Sequence, residues 1–71
     1  MKKERQINKF VIFCLENFKT ASNLSGKEAL AEFLKYGVIQ YLIDGYEVLH
    51  TQGRNYIVAD IQDFINQRTR K

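Results

Sequence analysis

The 71 residues of this chain allow one domain, and a domain of this size buries only about 60% of the surface that its unfolded chain exposes. A hydrophobic fraction of 45%, with five Phe and four Tyr, excludes a disordered chain. A single cysteine excludes an internal disulfide and favours the reducing cytoplasm. The apolar run at residues 10–15 is too short for a signal peptide or a membrane span, so we expect neither.

The net charge of +3 is concentrated at the two ends. Residues 1–9 carry four basic side chains against one acidic, and residues 68–71 carry three basic side chains, so each end contributes +3. Residues 10–67 carry four basic and seven acidic side chains, which gives −3. We therefore expect a single domain over residues 1–71 with basic ends at 1–9 and 68–71.

The first predicted helix covers about residues 4–20. Its apolar positions follow the i, i+3, i+4, i+7 spacing of one helical face, and they are Ile7, Phe10, Val11, Cys14, Leu15 and Phe18. Ile12 and Phe13 lie off this stripe. The helix is therefore apolar over more than one face, and it must be covered on two sides or expose a patch.

The second predicted helix begins after Ser25, because Ser25 and Glu28 have the spacing of a capping box. Its predicted inner face consists of Ala29, Leu30, Phe33 and Leu34. Gly37 can adopt the left-handed conformation that ends a helix.

The third segment, from Val38, carries two adjacent apolar rows at helical spacing. One row is Val38, Tyr41, Leu42, Gly45 and Leu49, and the other is Ile39, Ile43 and Tyr46. The pair Asp44–Gly45 is a turn signal, so the segment is either one kinked helix or two short helices that meet at Gly45. We favour the break.

After Gly53 the residues at 55–58 read as a short extended stretch, and Asp60 is predicted to cap a last helix. The inner face of that helix would be Ile61, Phe64 and Ile65. A hairpin over residues 48–58 is the alternative. The predicted fold class is all-α: a compact bundle of three to five short helices, with an extended segment or hairpin near residues 48–58.

Few residues in the chain suggest a catalytic or metal-binding site. The only histidine, His50, follows a predicted helix, where an imidazole can bind the last free carbonyls; a catalytic or partner-contact role is the less favoured alternative. Cys14 lies on an apolar stripe and is predicted to be inert, while Asp60 and Asp63 fit the start of a helix. We predict no catalytic, cofactor or metal site, and hence a protein that is not an enzyme.

The surplus apolar side chains favour an interaction module instead. A domain of this size has too little interior for both faces of the first helix and both rows of the third segment. We predict that Ile12, Phe13, Ile39, Ile43 and Tyr46 contact another protein chain, either a second copy or a dedicated partner.

A nucleic-acid-binding regulator is the alternative function. The candidate recognition helix after Gly37 offers only Gln40 to base edges and carries two acidic residues, so it is predicted to pack and not to read DNA. The basic ends could contact phosphates weakly, through Lys2, Lys3, Arg5, Lys9, Arg68, Arg70 and Lys71. Solvated helix ends are the simpler interpretation of these charges.

The sequences at residues 14–16, 25–28, 46–53 and 60–61 support a family resemblance. Through them, about residues 8–67 resemble a family of small bacterial proteins catalogued only as a domain of unknown function. Members of that family look like companions of small mobile operons, some beside genes for proteins that resemble ADP-ribosyltransferases. The resemblance implies a toxin–antitoxin or similar partner arrangement, and it supplies no site residues.

Overall fold

The computed structural model describes the backbone of residues 2–69 and the side chains of residues 3–69. Over this range the chain forms five helices: α1 (Lys2–Ala21), α2 (Gly26–Tyr36), α3 (Val38–Asp44), α4 (Tyr46–Leu49) and α5 (Arg54–Thr69). No strand occurs between residues 2 and 69. The prediction of a small all-α bundle is confirmed.

Helix α1 is the element against which the others assemble. It contacts α2, α3 and α5, and it buries Phe10, Cys14 and Phe18, which are one helical turn apart. The rings of Phe10 and Tyr46 meet edge to face with centroids 5.4 Å apart, and those of Phe18 and Phe33 lie 5.3 Å apart. Aromatic pairs at these distances stabilise a core beyond their buried area, so α1 is tied to both α2 and α4.

Helix α2 begins and ends where its sequence predicts. The Ser25 hydroxyl accepts a hydrogen bond from the Glu28 amide at 3.1 Å, and the Glu28 carboxylate accepts one from the Ser25 amide at 2.9 Å. Gly37 has a φ of +70°, and its amide donates to the carbonyl of Phe33. A side chain would be strained at this φ, which accounts for the glycine.

Gly45 separates α3 from α4, as the turn signal predicts. Its φ is −96°, so the glycine is not required by its backbone conformation. It is required by space, because a Cβ placed there would lie 3.0 Å from Leu49 Cδ1 and 3.3 Å from the carbonyl oxygen of Tyr41. Helix α4 can therefore begin directly after α3, with the Leu49 side chain packed close to the glycine.

Two predictions are wrong: the extended stretch at residues 55–58 and the hairpin over residues 48–58. Helix α5 begins at Arg54, and the Ile57 amide donates to the carbonyl of Gly53 at 3.0 Å. Ile57, Val58 and Ile61 are buried at helical spacing. Their packing in a helix therefore outweighs the preference of β-branched residues for strands. Asp60 consequently lies in the middle of α5 and does not cap its start.

The core draws on all five helices. Its fully buried large side chains are Cys14, Phe33, Val38, Leu42, Ile57 and Ile61. Within the described residues no polar or charged residue is buried as a whole. Within residues 3–69 the buried side chains are apolar apart from the Cys14 thiol and the Tyr46 phenol.

Candidate protein-interaction surface

The structure separates the five predicted partner-contact residues into two groups. Ile12, Phe13 and Ile43 are exposed, with 59%, 44% and 37% of their surface accessible. Ile39 is half-buried and packs against the core, and Tyr46 is buried within it. Three of the five side chains are therefore available to another chain.

Tyr46 lies inside because α3 and α4 are separate helices. The row Ile39, Ile43 and Tyr46 shares one face only if the helix continues through Gly45. The chain changes direction at that glycine, and Tyr46 turns inward onto Phe10. The same break that the sequence predicts thus removes Tyr46 from the exposed row.

Four further large apolar side chains are exposed that sequence reasoning did not assign to the surface. Leu30 and Leu34 were expected to face the core, yet 41% and 66% of their surface is accessible. They lie one turn apart on α2, beside the buried row of Ala29 and Phe33. Two adjacent apolar rows on one helix indicate that only one of them can face the core.

We use the term exposed apolar set for the seven large hydrophobic side chains that are at least about one third accessible. The set consists of Ile12, Phe13, Leu30, Leu34, Ile43, Val48 and Tyr56. Every helix contributes at least one member, and α1 and α2 contribute two each. Single exposed apolar residues are normal on a protein surface, but such a number on so small a domain favours contact with another chain.

His50 ends α4 as predicted. Its Nδ1 donates to the carbonyl oxygen of Tyr46 at 2.6 Å, and its ring stacks on the Tyr46 ring with centroids 4.4 Å apart. The imidazole therefore shares the Tyr46 carbonyl, at the end of the helix, with the backbone amide of His50. A hydrogen bond and a stacking partner account for its position.

The Cys14 thiol is enclosed in the core. Its side chain is inaccessible, and burial raises its pKa from 9.0 to about 12. A thiol with this pKa is almost entirely protonated at neutral pH, whereas thiol chemistry requires the thiolate. Cys14 packs as a small apolar residue, as its position on the stripe predicts.

Tyr41 and Asp60 form a polar contact between α3 and α5. The Tyr41 hydroxyl donates to Asp60 Oδ2 at 2.6 Å, and the Tyr41 ring stacks on Phe64 with centroids 4.1 Å apart. The hydrogen bond to Asp60, followed by burial, raises the pKa of Tyr41 to about 12. Since Asp60 is not a cap, this contact is the reason for an acidic side chain at that position.

The basic residues proposed for nucleic-acid contact do not form one described patch. Lys3 pairs with Glu47 of α4, and their hydrogen bond raises the pKa of Lys3 and lowers that of Glu47. Arg5 and Lys9 are exposed on α1, while the Arg68 guanidinium lies 4.2 Å from the ring centroid of Phe64. The Lys2 side chain, Arg70 and Lys71 lie outside the described residues.

The described residues hold no group of three metal-ligating side chains, and none of their helices is long and apolar enough to cross a membrane. The class defined by these features is a small all-α domain with a wholly apolar core and an exposed apolar set. Residues 9–68 match the family described as "Protein of unknown function (DUF3791)", and the chain belongs to that family. No curated protein and no solved structure matches it.

Proposed function

We propose that this protein is a non-catalytic protein–protein interaction module. The observation that carries the proposal is the exposed apolar set, with Ile12 and Phe13 on α1 and Leu30 and Leu34 on α2. Aliphatic and aromatic side chains of this size stabilise an interface when a partner removes them from water. The occupant is a second copy of the chain or a dedicated protein partner.

The positions of His50 and Cys14 support a non-catalytic role. The imidazole is held by the end of α4 and by a tyrosine ring, and the thiol is enclosed in the core. Cys14 lies among apolar side chains, and the Glu47 carboxylate near His50 is paired with Lys3. What the surface offers a partner is chiefly apolar area.

The resemblance to companions of small bacterial operons suggests where the partner is encoded. We propose that the module acts in the cytoplasm and binds the product of a neighbouring gene, in an arrangement like that of an antitoxin. The lone free cysteine supports a reducing compartment. Co-expression with the neighbouring gene and isolation of a complex of fixed stoichiometry would test the partner.

The proposal itself is tested on the purified protein. Sedimentation equilibrium at micromolar concentrations should show self-association, or the protein should bind a hydrophobic dye strongly in its folded state. Either result means that apolar surface is available for contact. A monomer that binds no dye would contradict the proposal.

A further inference from the structure

A cleft lies where the carboxyl-terminal ends of α2 and α5 meet. Its described lining is Lys35, Tyr36, Phe64, Gln67 and Arg68, and its volume is about 510 Å³. Small-molecule sites in proteins generally enclose about 300–1,000 Å³. The cleft is therefore large enough for a ligand, and none of its lining residues belongs to the exposed apolar set.

The charged side chains in the described lining of the cleft are all basic. Lys35 and Arg68 both line it, and its described lining contains no carboxylate. Elsewhere Lys3 and Lys19 have acidic partners, whereas neither Lys35 nor Arg68 has an ion pair with residues 3–69. Each cation is favoured by the dipole of its own helix, and neither is neutralised by an ion pair within residues 3–69. An anion bound in the cleft would be attracted by both charges.

The walls of the cleft are aromatic and already positioned. The Lys35 ammonium lies 5.3 Å from the Tyr36 ring centroid, and the Arg68 guanidinium lies 4.2 Å from that of Phe64. One face of the Phe64 ring packs on Tyr41, which is fixed by its hydrogen bond to Asp60, and the other face lies under the Arg68 guanidinium. The surfaces that remain for a nucleobase to stack on are therefore the guanidinium plane of Arg68 and the ring of Tyr36.

We propose that this cleft binds a phosphate-bearing ligand with a planar base, that is, a nucleotide. Lys35 binds the phosphate, the Arg68 guanidinium and the Tyr36 ring stack on the base, and the Gln67 amide offers a donor and an acceptor to its edge. The nucleotide is either free or the terminal unit of a single-stranded nucleic acid. The site is separate from the protein-interaction function proposed above.

The test is isothermal titration calorimetry of the full chain at low salt with three probes: ATP, inorganic tripolyphosphate and a 5′-phosphorylated RNA hexamer. ATP should bind more tightly than tripolyphosphate, since only ATP offers a base to the aromatic walls. Lys35→Gln and Arg68→Gln should each weaken ATP binding by about tenfold, through the loss of a charge-assisted hydrogen bond to the phosphate and of a stacking surface for the base, respectively. Lys27→Gln, which removes an exposed lysine at the other end of α2, should leave the affinity unchanged.

Circular dichroism should show that all three variants fold like the parent chain, because the substituted side chains are exposed. Tighter binding of the hexamer than of ATP would support the site with nucleic acid as the source of the nucleotide, and the reverse order would support a free nucleotide. Absence of ATP binding, equal binding of ATP and tripolyphosphate, or equal losses in all three variants would overturn the proposal.

Discussion

At the scale of single residues, Tyr41 is the side chain with the most specific contacts between helices. Its ring stacks on Phe64 and its hydroxyl donates to Asp60, so it ties α3 to α5 at two points. The described residues hold two other polar contacts between side chains of different elements, the exposed ion pair of Lys3 with Glu47 and the 3.5 Å contact from Gln62 to Ser22. Exposed ion pairs and long hydrogen bonds contribute little, so the half-buried bond of Tyr41 is the one expected to affect stability.

Tyr41→Phe should lower the free energy of unfolding by about 1–2 kcal/mol. The substitution keeps the stacked ring but leaves the half-buried Asp60 carboxylate without its donor. Urea denaturation followed by circular dichroism measures the change. Tyr56→Phe is the matched control, because Tyr56 is exposed and should show almost no effect. Equal losses in the two variants would contradict this role for the hydrogen bond.

The raised pKa of Tyr41 also predicts a dependence on alkaline pH. Its value is about 12 in the folded chain against 10.0 for a free tyrosine, so its contribution is complete below pH 10 and is lost as the pH rises to about 12. The difference in unfolding free energy between the parent and Tyr41→Phe should therefore shrink between pH 10 and 12. Denaturation curves at pH 8, 10 and 11.5 test this, and an unchanged difference at pH 11.5 would refute it.

At the scale of elements, the junction between α3 and α4 determines what reaches the core. The turn at Gly45 brings Tyr46 onto α1 and places the buried Leu49 side chain close against the glycine. Gly37 ends α2 by its positive φ, whereas Gly45 allows close packing. The two glycines therefore serve adjacent helix ends for different physical reasons.

Gly45→Ala should destabilise the protein by about 1 kcal/mol, even though alanine favours helix over glycine. The new Cβ would come within 3.0 Å of Leu49 and 3.3 Å of the Tyr41 carbonyl, which forces packed atoms to move. Gly53→Ala is the control, since nothing lies within 4 Å of its Cβ position and its φ is not positive. The control should be neutral or slightly stabilising in thermal melts. A stabilised Gly45→Ala variant would show that the contact is not restrictive.

At the scale of the whole molecule, the fold buries some apolar side chains of each helix and leaves other apolar side chains exposed to water. Leu34→Glu and Ile12→Glu place a charge within the exposed apolar set, at its most accessible positions on α2 and α1. At least one of them should reduce self-association or dye binding, with a change in melting temperature of only a few degrees. Ala31→Glu adds the same charge at an exposed position of α2 that bears no large side chain.

Sedimentation velocity of the three variants decides the outcome. If Ala31→Glu has the same effect as the other two, added charge and not lost apolar contact is responsible. If Leu34→Glu and Ile12→Glu unfold the chain, those side chains are part of the core and not of an interface. If none of the three changes association or dye binding, the exposed apolar set is not the contact surface.

The local signals in the sequence were sufficient for much of the architecture. The stripe along α1, the capping box at Ser25, the left-handed Gly37, the break at Gly45 and the helix-ending His50 are all found where they were predicted. Each depends on residues at most about one helical turn apart, or on a period repeated along one helix. Such features need no knowledge of the other helices.

Only the tertiary structure decided which of two adjacent apolar rows faces the core. Leu30 and Leu34 came to lie outside and Tyr46 inside, and residues 55–58 became helical because Ile57 and Val58 pack inward. These outcomes depend on how helices distant in sequence cross and on the direction taken after Gly45. The sequence by itself determined that there is more apolar helical surface than the interior can hold, and the packing of the five helices determined which part of it remains exposed.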